Sequence, residues 1–378
     1  MPTNTSRSYP IPPDPTPVKV SVASIIFTGA RNEHNPLYDR EPTAASPKGA
    51  KIEPPQWQKE PFKREPISYV RDTRATLKLD ITGSYGTPIW VKVKPSAELL
   101  KKILTEDGIE KIVPDPGLTP ITFTRRSEVI RVTNWDDPDY EQLSFTTNPL
   151  PDEVRLNQLK ITWNFKYGYT KNGPWFDAGK ERTAHELYIT YRRPYYGFPP
   201  FYRPWKQVLK TACSYAHGAK TTIEASSMVT PKIYMSFKFN YISRKSHSEF
   251  DNCKIKLWDM LKEDWVDCMD GSNYYTILMR WLGIPAHQKK ISPSPSDKFV
   301  YKLLRPISRS KNLKAEWGID RWDFHQVGIL SHVYDPIIMI DPERKIIPAN
   351  MPRWDYERAI FESGQFVWDS LALVTSVH

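Results

Sequence analysis

Cysteine, histidine and aspartate together perform nucleophilic acyl transfer, and the C-terminal third of this chain carries all three in a suggestive order. A thiolate attacks a carbonyl, an imidazole takes the thiol proton and returns it to the leaving group, and a carboxylate orients the imidazole. The candidate nucleophile is Cys268, in the stretch WVDCMDGSNYYTILMRWLGIPA from Trp265 to Ala286. Tyr274, Ile277, Leu278, Trp281 and Leu282 fall at helical spacing, which predicts a helix with one apolar face. Asp267 is a good N-cap and Asp270 approximates a capping box. Gly283 followed by Pro285 closes the helix in the expected order. Cys268 thus falls in the first turn, where unpaired N–H groups and the helix dipole are expected to lower a thiol pKa. The alternative is an inert, buried thiol that packs as a small hydrophobe.

The candidate base is His325, in DFHQVGILSHVYDPIIMIDPER. Val327, Ile329 and Leu330 read as a buried strand, and Ile337 to Ile340 as a second. Two Asp–Pro pairs compete to orient the imidazole, Asp335–Pro336 and Asp341–Pro342. Opposed residues of a hairpin lie equally far from the centre of its loop. A loop centred on Val333 sets Asp341 opposite His325, whereas Asp335 requires a loop centred on the apolar Leu330. This reading favours Asp341.

A helix-capping Cys in a C-x-D frame, the L-G-I-P-A that ends its helix and the H-x-V…I-D-P that follows resemble the transglutaminase-like cysteine-protease superfamily. The resemblance covers about residues 204–342. It implies a papain-like α+β core, with a Cys-bearing helix packed on an antiparallel sheet that carries His and Asp. It also implies the triad Cys268, His325 and Asp341, the last because the family's Asp commonly stands in an Asp–Pro pair after the His strand. The family's usual His-x-Trp is here His325-Gln326-Val327.

The elements that must position these residues are legible further upstream. The chain has 378 residues, a net charge of +10, 35 prolines and three cysteines. An odd cysteine count argues against a disulfide framework. The N-terminus lacks the apolar core of a secretory signal, and no run approaches 18 apolar residues. Twelve prolines fall within residues 1–65, which predicts an extended arm for docking to the next domain or a partner, interrupted by a strand from Val18 to Phe27. Over residues 66–193 the periodicity is two, as in Thr76–Ile81, Ile89–Val93 and Leu187–Tyr191, with turn residues between runs. That is the signature of an Ig-like antiparallel β-sandwich. A helical piece is expected at Ala97–Thr105, and Trp90, Trp163 and Trp175 read as packing residues. Residues 194–378 are then the transglutaminase-like α+β domain. Cys213 and His217 fit a core thiol and a C-terminal-turn imidazole on a helix from Trp205 to Tyr215.

From Arg280 to Lys314 nine basic residues face Asp297 alone, a net of +8 (9 less 1). A loop joining nucleophile and base borders the cleft, so Lys289, Lys290 and Arg305 are candidate contacts to an acidic protein or peptide substrate. Nucleic acid fits this run less well, because few aromatics interleave with the charges. No ligand spacing for a metal and no cofactor motif stands out. The composite expectation is a protease, deamidase or transglutaminase working on a protein amide, with Trp265 bordering the oxyanion. The competing expectation is a catalytically silent binding or structural module, including a bacterial effector or cargo protein. Without a signal peptide, the location expected is the cytoplasm or export by another route.

Overall fold

The computed structural model describes residues 17–29, 38–39, 50–54, 56–84, 89–104, 109–115, 120–125, 128–135, 143–194, 205–236, 239–242, 246–249, 254–263, 265–294, 300–301, 304–307, 324–340, 346–363, 365–371 and 376–377. Alternating apolar side chains build the N-terminal half into two facing sheets. The strands are β1 (Lys19–Thr28), β2 (Trp57–Gln58), β3 (Lys63–Arg64), β4 (Ile67–Val70), β5 (Thr76–Ser84), β6 (Ile89–Leu104), β7 (Glu110–Val113), β8 (Glu128–Val132), β9 (Leu143–Thr146), β10 (Arg155–Gly168) and β11 (Phe176–Thr190). One sheet runs β9-β5-β1-β2-β3. The other runs β8-β6-β10-β11-β4, with β7 added against β6. Between them, Val22, Ile25, Leu77, Leu79, Phe145, Trp163 and Phe165 are fully buried. Each such side chain contributes about 1.5–3 kcal/mol over leaving it in water.

The strand expected from Val18 to Phe27 is present as β1, and it lies inside the first sheet, paired with β5 and β2. Its alternation, with Val20, Val22, Ile25 and Phe27 all buried, is what recruits it. The expected helix at Ala97–Thr105 is instead the second half of β6, paired with β10 from Ser96 to Lys101. Good local helix formers yield there to a ladder and to packing on both faces, since Leu99 and Leu100 are both 7% exposed. Finally, the sandwich is not purely antiparallel, because β4 joins β11 in parallel.

The C-terminal half adds α1 (Lys206–Tyr215), α2 (Thr222–Met235), α3 (Leu257–Lys262), α4 (Cys268–Trp281) and α5 (Arg353–Ile360). Its largest sheet has the order β15-β14-β13-β12-β16, where β12 is His287–Pro293, β13 His325–Ile329, β14 Val333–Tyr334, β15 Ala349–Met351 and β16 Phe366–Ser370. A capping box of Thr221 and Glu224 starts α2. Among the described residues, no helix is long and apolar enough to cross a membrane. The core of this half continues into the sandwich through Val154, Leu156 and Tyr188, which pack with Trp205, Leu209 and α4.

Candidate functional site

Asp267 caps α4 by accepting from the Asp270 backbone N–H at 2.9 Å, so Cys268 is the first helical residue, as the sequence predicts. Every residue of α4 is buried, not one face only. Its polar side chains therefore need partners inside the protein. Gln326 of β13 supplies two contacts, donating from Nε2 to Ser272 Oγ (2.7 Å) and Asn273 Oδ1 (3.2 Å). Close approach is required too. A Cβ on Gly328 of β13 would lie 2.2 Å from the Tyr275 ring, and one on Gly271 would lie 2.1 Å from Ile337 Cδ1. At the other end Gly283 turns at φ +79, and a Cβ there would meet the carbonyls of Arg192 and Arg193 at 2.4 Å.

The thiol does not have the expected low pKa. Cys268 is 6% exposed, and its pKa is pushed well above the ordinary thiol value. Burial is the largest cause, with Asp267 adding repulsion against only partial relief from the Gln326 backbone. The helix N-terminus is outweighed because burial and the charges of Asp267, Asp335 and Asp270 all oppose a thiolate. Cys213 is buried in α1 as expected. His217, just past α1, accepts from the Leu156 N–H at 3.2 Å, and burial lowers its pKa to about 4. Cys253 lies outside the described residues.

His325 is 1% exposed, and its Nε2 meets Asp335 Oδ2 at 2.7 Å. The same carboxylate oxygen accepts from the Tyr356 hydroxyl at 2.7 Å, and Oδ1 accepts from the Ile337 N–H at 2.9 Å. The acid on the imidazole is thus Asp335, which corrects the preference for Asp341; Asp341 itself lies outside the described residues. The register explains this. Gly328 pairs with Tyr334 and Ile329 with Val333, so the hairpin is centred on Ser331. β14 stops after Tyr334, because Pro336 has no N–H for a ladder. Ile338–Ile340 then pairs with Leu304–Pro306 instead of running on beside β13. The Asp–Pro dipeptide was the sequence signal for that break. Tyr356 had no signal of its own.

Alternation along β13 sets the direction of its side chains. Gln326 and Gly328 face α4, so His325 projects from the opposite face. Its register partner there, Ile291, also pairs with Trp368, which touches the Tyr356 ring. The Cys268 thiol accepts from the Gln326 backbone N–H. The fold brings His325 and Asp335 together and sets Cys268 against the same strand, near enough to Asp335 for its charge to oppose a thiolate.

A second histidine that sequence reasoning missed stands closer to the first turn of α4. His247 Nδ1 meets Asp270 Oδ2 at 3.0 Å and its Nε2 meets Glu263 Oε2 at 3.2 Å. Trp265, expected at an oxyanion, stacks on this ring with centroids 3.9 Å apart and planes at 24°. Asp270 also accepts from the Ser246 and Ser248 hydroxyls and the His247 N–H. Lys289 and Lys290 are half-buried on β12 opposite Val327 and Gln326, and Lys290 Nζ lies 5.2 Å from the Phe324 ring centre. The backbone of Arg305 pairs with Met339. None of these three is on an open rim loop. Among the described residues, no group of three or more His, Cys, Asp or Glu is arranged to hold a metal. A cavity of about 310 Å³ opens between α1, α3 and α4, lined by Thr211, Tyr215, Phe239, Trp258 and Tyr274, away from Cys268.

No family model matches the chain, and no curated protein matches it. Among solved structures, the chain is similar to the ASH/PapD-like domain of human CEP192 (PapD-like domain 7), at 11% identity and a TM-score of 0.20. That match covers 50% of this chain and 96% of the other.

Proposed function

We propose that the C-terminal half is a transglutaminase-like fold serving as a catalytically silent binding or structural module, with Cys268 a buried structural thiol. The observation that carries this reading is the burial of Cys268 beside Asp267, Asp335 and Asp270, whose charges all oppose a thiolate. A thiol raised in pKa by burial and by neighbouring carboxylates is a poor nucleophile at neutral pH.

One observation favours a second reading, acyl transfer by a cysteine nucleophile. His325 is held by Asp335 and Tyr356 as a catalytic imidazole would be. In that reading Cys268 attacks a protein amide, His325 takes the thiol proton and returns it to the leaving amine, and water or a second amine then releases the acyl group.

Alkylation by iodoacetamide tests both. The silent module predicts that native Cys268 labels at pH 7 at least about 100-fold more slowly than in the unfolded chain, with His325→Ala making no difference. Fast labelling of native Cys268 that His325→Ala abolishes would establish the acyl-transfer reading instead.

A further inference from the structure

The outer face of the six-stranded sheet changes character along its length. At one end Leu100, Leu156 and Tyr188 lie beneath the C-terminal half. At the other, alternation places Lys92 and Lys94 on β6, Lys160 and Lys166 on β10, and Lys180 and Arg182 on β11. Register draws them into rows. Lys92 opposes Lys166, Lys94 and Lys180 flank Asn164, and Arg182 opposes Thr162. All six are exposed except Lys92, which is half-buried. Among the described residues, none of the six forms an ion pair with a carboxylate. Three acids share the face, Glu98 opposite Lys160, Asp177 opposite Lys166 and, toward the C-terminal half, Glu186 opposite Gln158. Like charges directly opposed across strands destabilise a sheet, so this arrangement carries a cost that a bound polyanion would offset.

Two indoles complete the face. Trp90 stands opposite Gly168, with Lys171 Nζ 5.8 Å from its ring centre. Trp175 returns beside Gly168, where an added Cβ would lie 2.8 Å from the Pro174 carbonyl and 3.4 Å from the Trp175 ring, and Lys92 Nζ lies 5.5 Å from that ring. The basic run at 280–314 lacks interleaved aromatics; here lysines and indoles share one surface.

We propose that this face binds single-stranded nucleic acid, with phosphates on the lysine rows and bases against Trp90 and Trp175. A basic track combined with aromatic platforms is the general requirement for such binding. The half-buried indoles lie within the face between lysines and do not protrude from it, which suits stacking better than insertion into a lipid surface. The proposal goes beyond the reading of Cys268 and is independent of it, so Cys268→Ser should bind as the parent does.

Fluorescence anisotropy of a labelled single-stranded oligothymidylate, titrated at several salt concentrations, tests it. Binding should weaken linearly in log–log form with salt. The Lys94→Gln/Lys180→Gln double variant, altered only at exposed positions, should bind about 10-fold more weakly, with a salt slope smaller by about 1.4, or 0.7 per lost contact. Trp90→Leu, checked for an unchanged melting temperature, should weaken binding about 5-fold or more at an unaltered slope. No binding at low salt, or binding indifferent to the lysine pair, would overturn the proposal. So would lysine-dependent binding to phosphatidylcholine/phosphatidylserine vesicles with no binding to the oligonucleotide.

Discussion

At Cys268 a helix N-terminus favours the thiolate, while burial and two aspartates of its own turn oppose it. Helix-dipole effects are worth about 0.3–1 kcal/mol, too little to offset desolvation of a buried charge. Alkylation of this thiol should therefore require opening of the fold, so its rate at fixed pH should rise steeply in sub-denaturing urea. Asp335 is the other residue whose partners are fully accounted for, since its carboxylate satisfies His325, Tyr356 and the Ile337 N–H. Asp335→Ala leaves all three buried groups without that acceptor. It should cost about 3 kcal/mol or more in a urea melt, as leaving several buried polar groups without a hydrogen-bond partner does. Asp335→Asn, which keeps one acceptor oxygen, should cost clearly less. Equal stability of parent and alanine variant would refute the network.

The first turn of α4, the Ser246–Ser248 segment and Trp265 form one titrating unit. Burial disfavours the charged form of His247, but Asp270 and Glu263 outweigh it and its pKa is raised. That stability is fully present below the unfolded pKa of about 6.5 and is lost as pH rises through the folded value. Asp267 behaves in the same sense. Burial, with Asp270 second, raises its pKa to about 7, so the folded state holds a proton that the unfolded chain releases near pH 4. Both groups make stability fall as pH climbs, Asp267 between about 4 and 7 and His247 above about 6.5. Asparagine is as good an N-cap as aspartate, so Asp267→Asn should raise stability at pH 8 by about 2 kcal/mol and change little at pH 4. Thermal melts across that range would show it, and equal gains at both pH values would sink the assignment. The seam between α4 and β13 is fixed by absent side chains. Gly328→Ala would drive a methyl into Tyr275, itself stacked on Tyr334 with centroids 5.6 Å apart. A cost of about 1–3 kcal/mol is expected.

On the scale of the whole molecule, the two halves share a core. Leu156 and Tyr188 come from the sandwich, and Trp205, Leu209 and Trp281 from the C-terminal half. Lys210 of α1 reaches Glu110 and Glu186 of the sandwich across the same junction, and Lys102 of β6 shares both carboxylates. Leu209 is fully buried, and Leu209→Ala should cost about 2–5 kcal/mol. Because the core is continuous, calorimetry should give one transition that moves as a unit in this variant. Two transitions, with only the later-melting or earlier-melting one displaced, would show that the halves unfold separately.

Periodicity in the sequence determined the two-sheet sandwich, and capping chemistry located α4 with Cys268 at its start. Asp267, Gly283 and the alternating runs act through neighbours a few residues away, and such local causes survive without a tertiary context. The extent of β6 could not be read, because AELLKKIL forms a helix by propensity and a strand only once β10 and the packing around Leu99 and Leu100 are present. The choice between Asp335 and Asp341 depended on a loop centre that shifts by two residues when Pro336 ends β14. The thiol pKa, the side of β13 from which His325 projects and the meeting of Trp90 with Lys171 are sums over residues far apart in the chain. Burial and strand register decide them, and both exist only in the assembled structure.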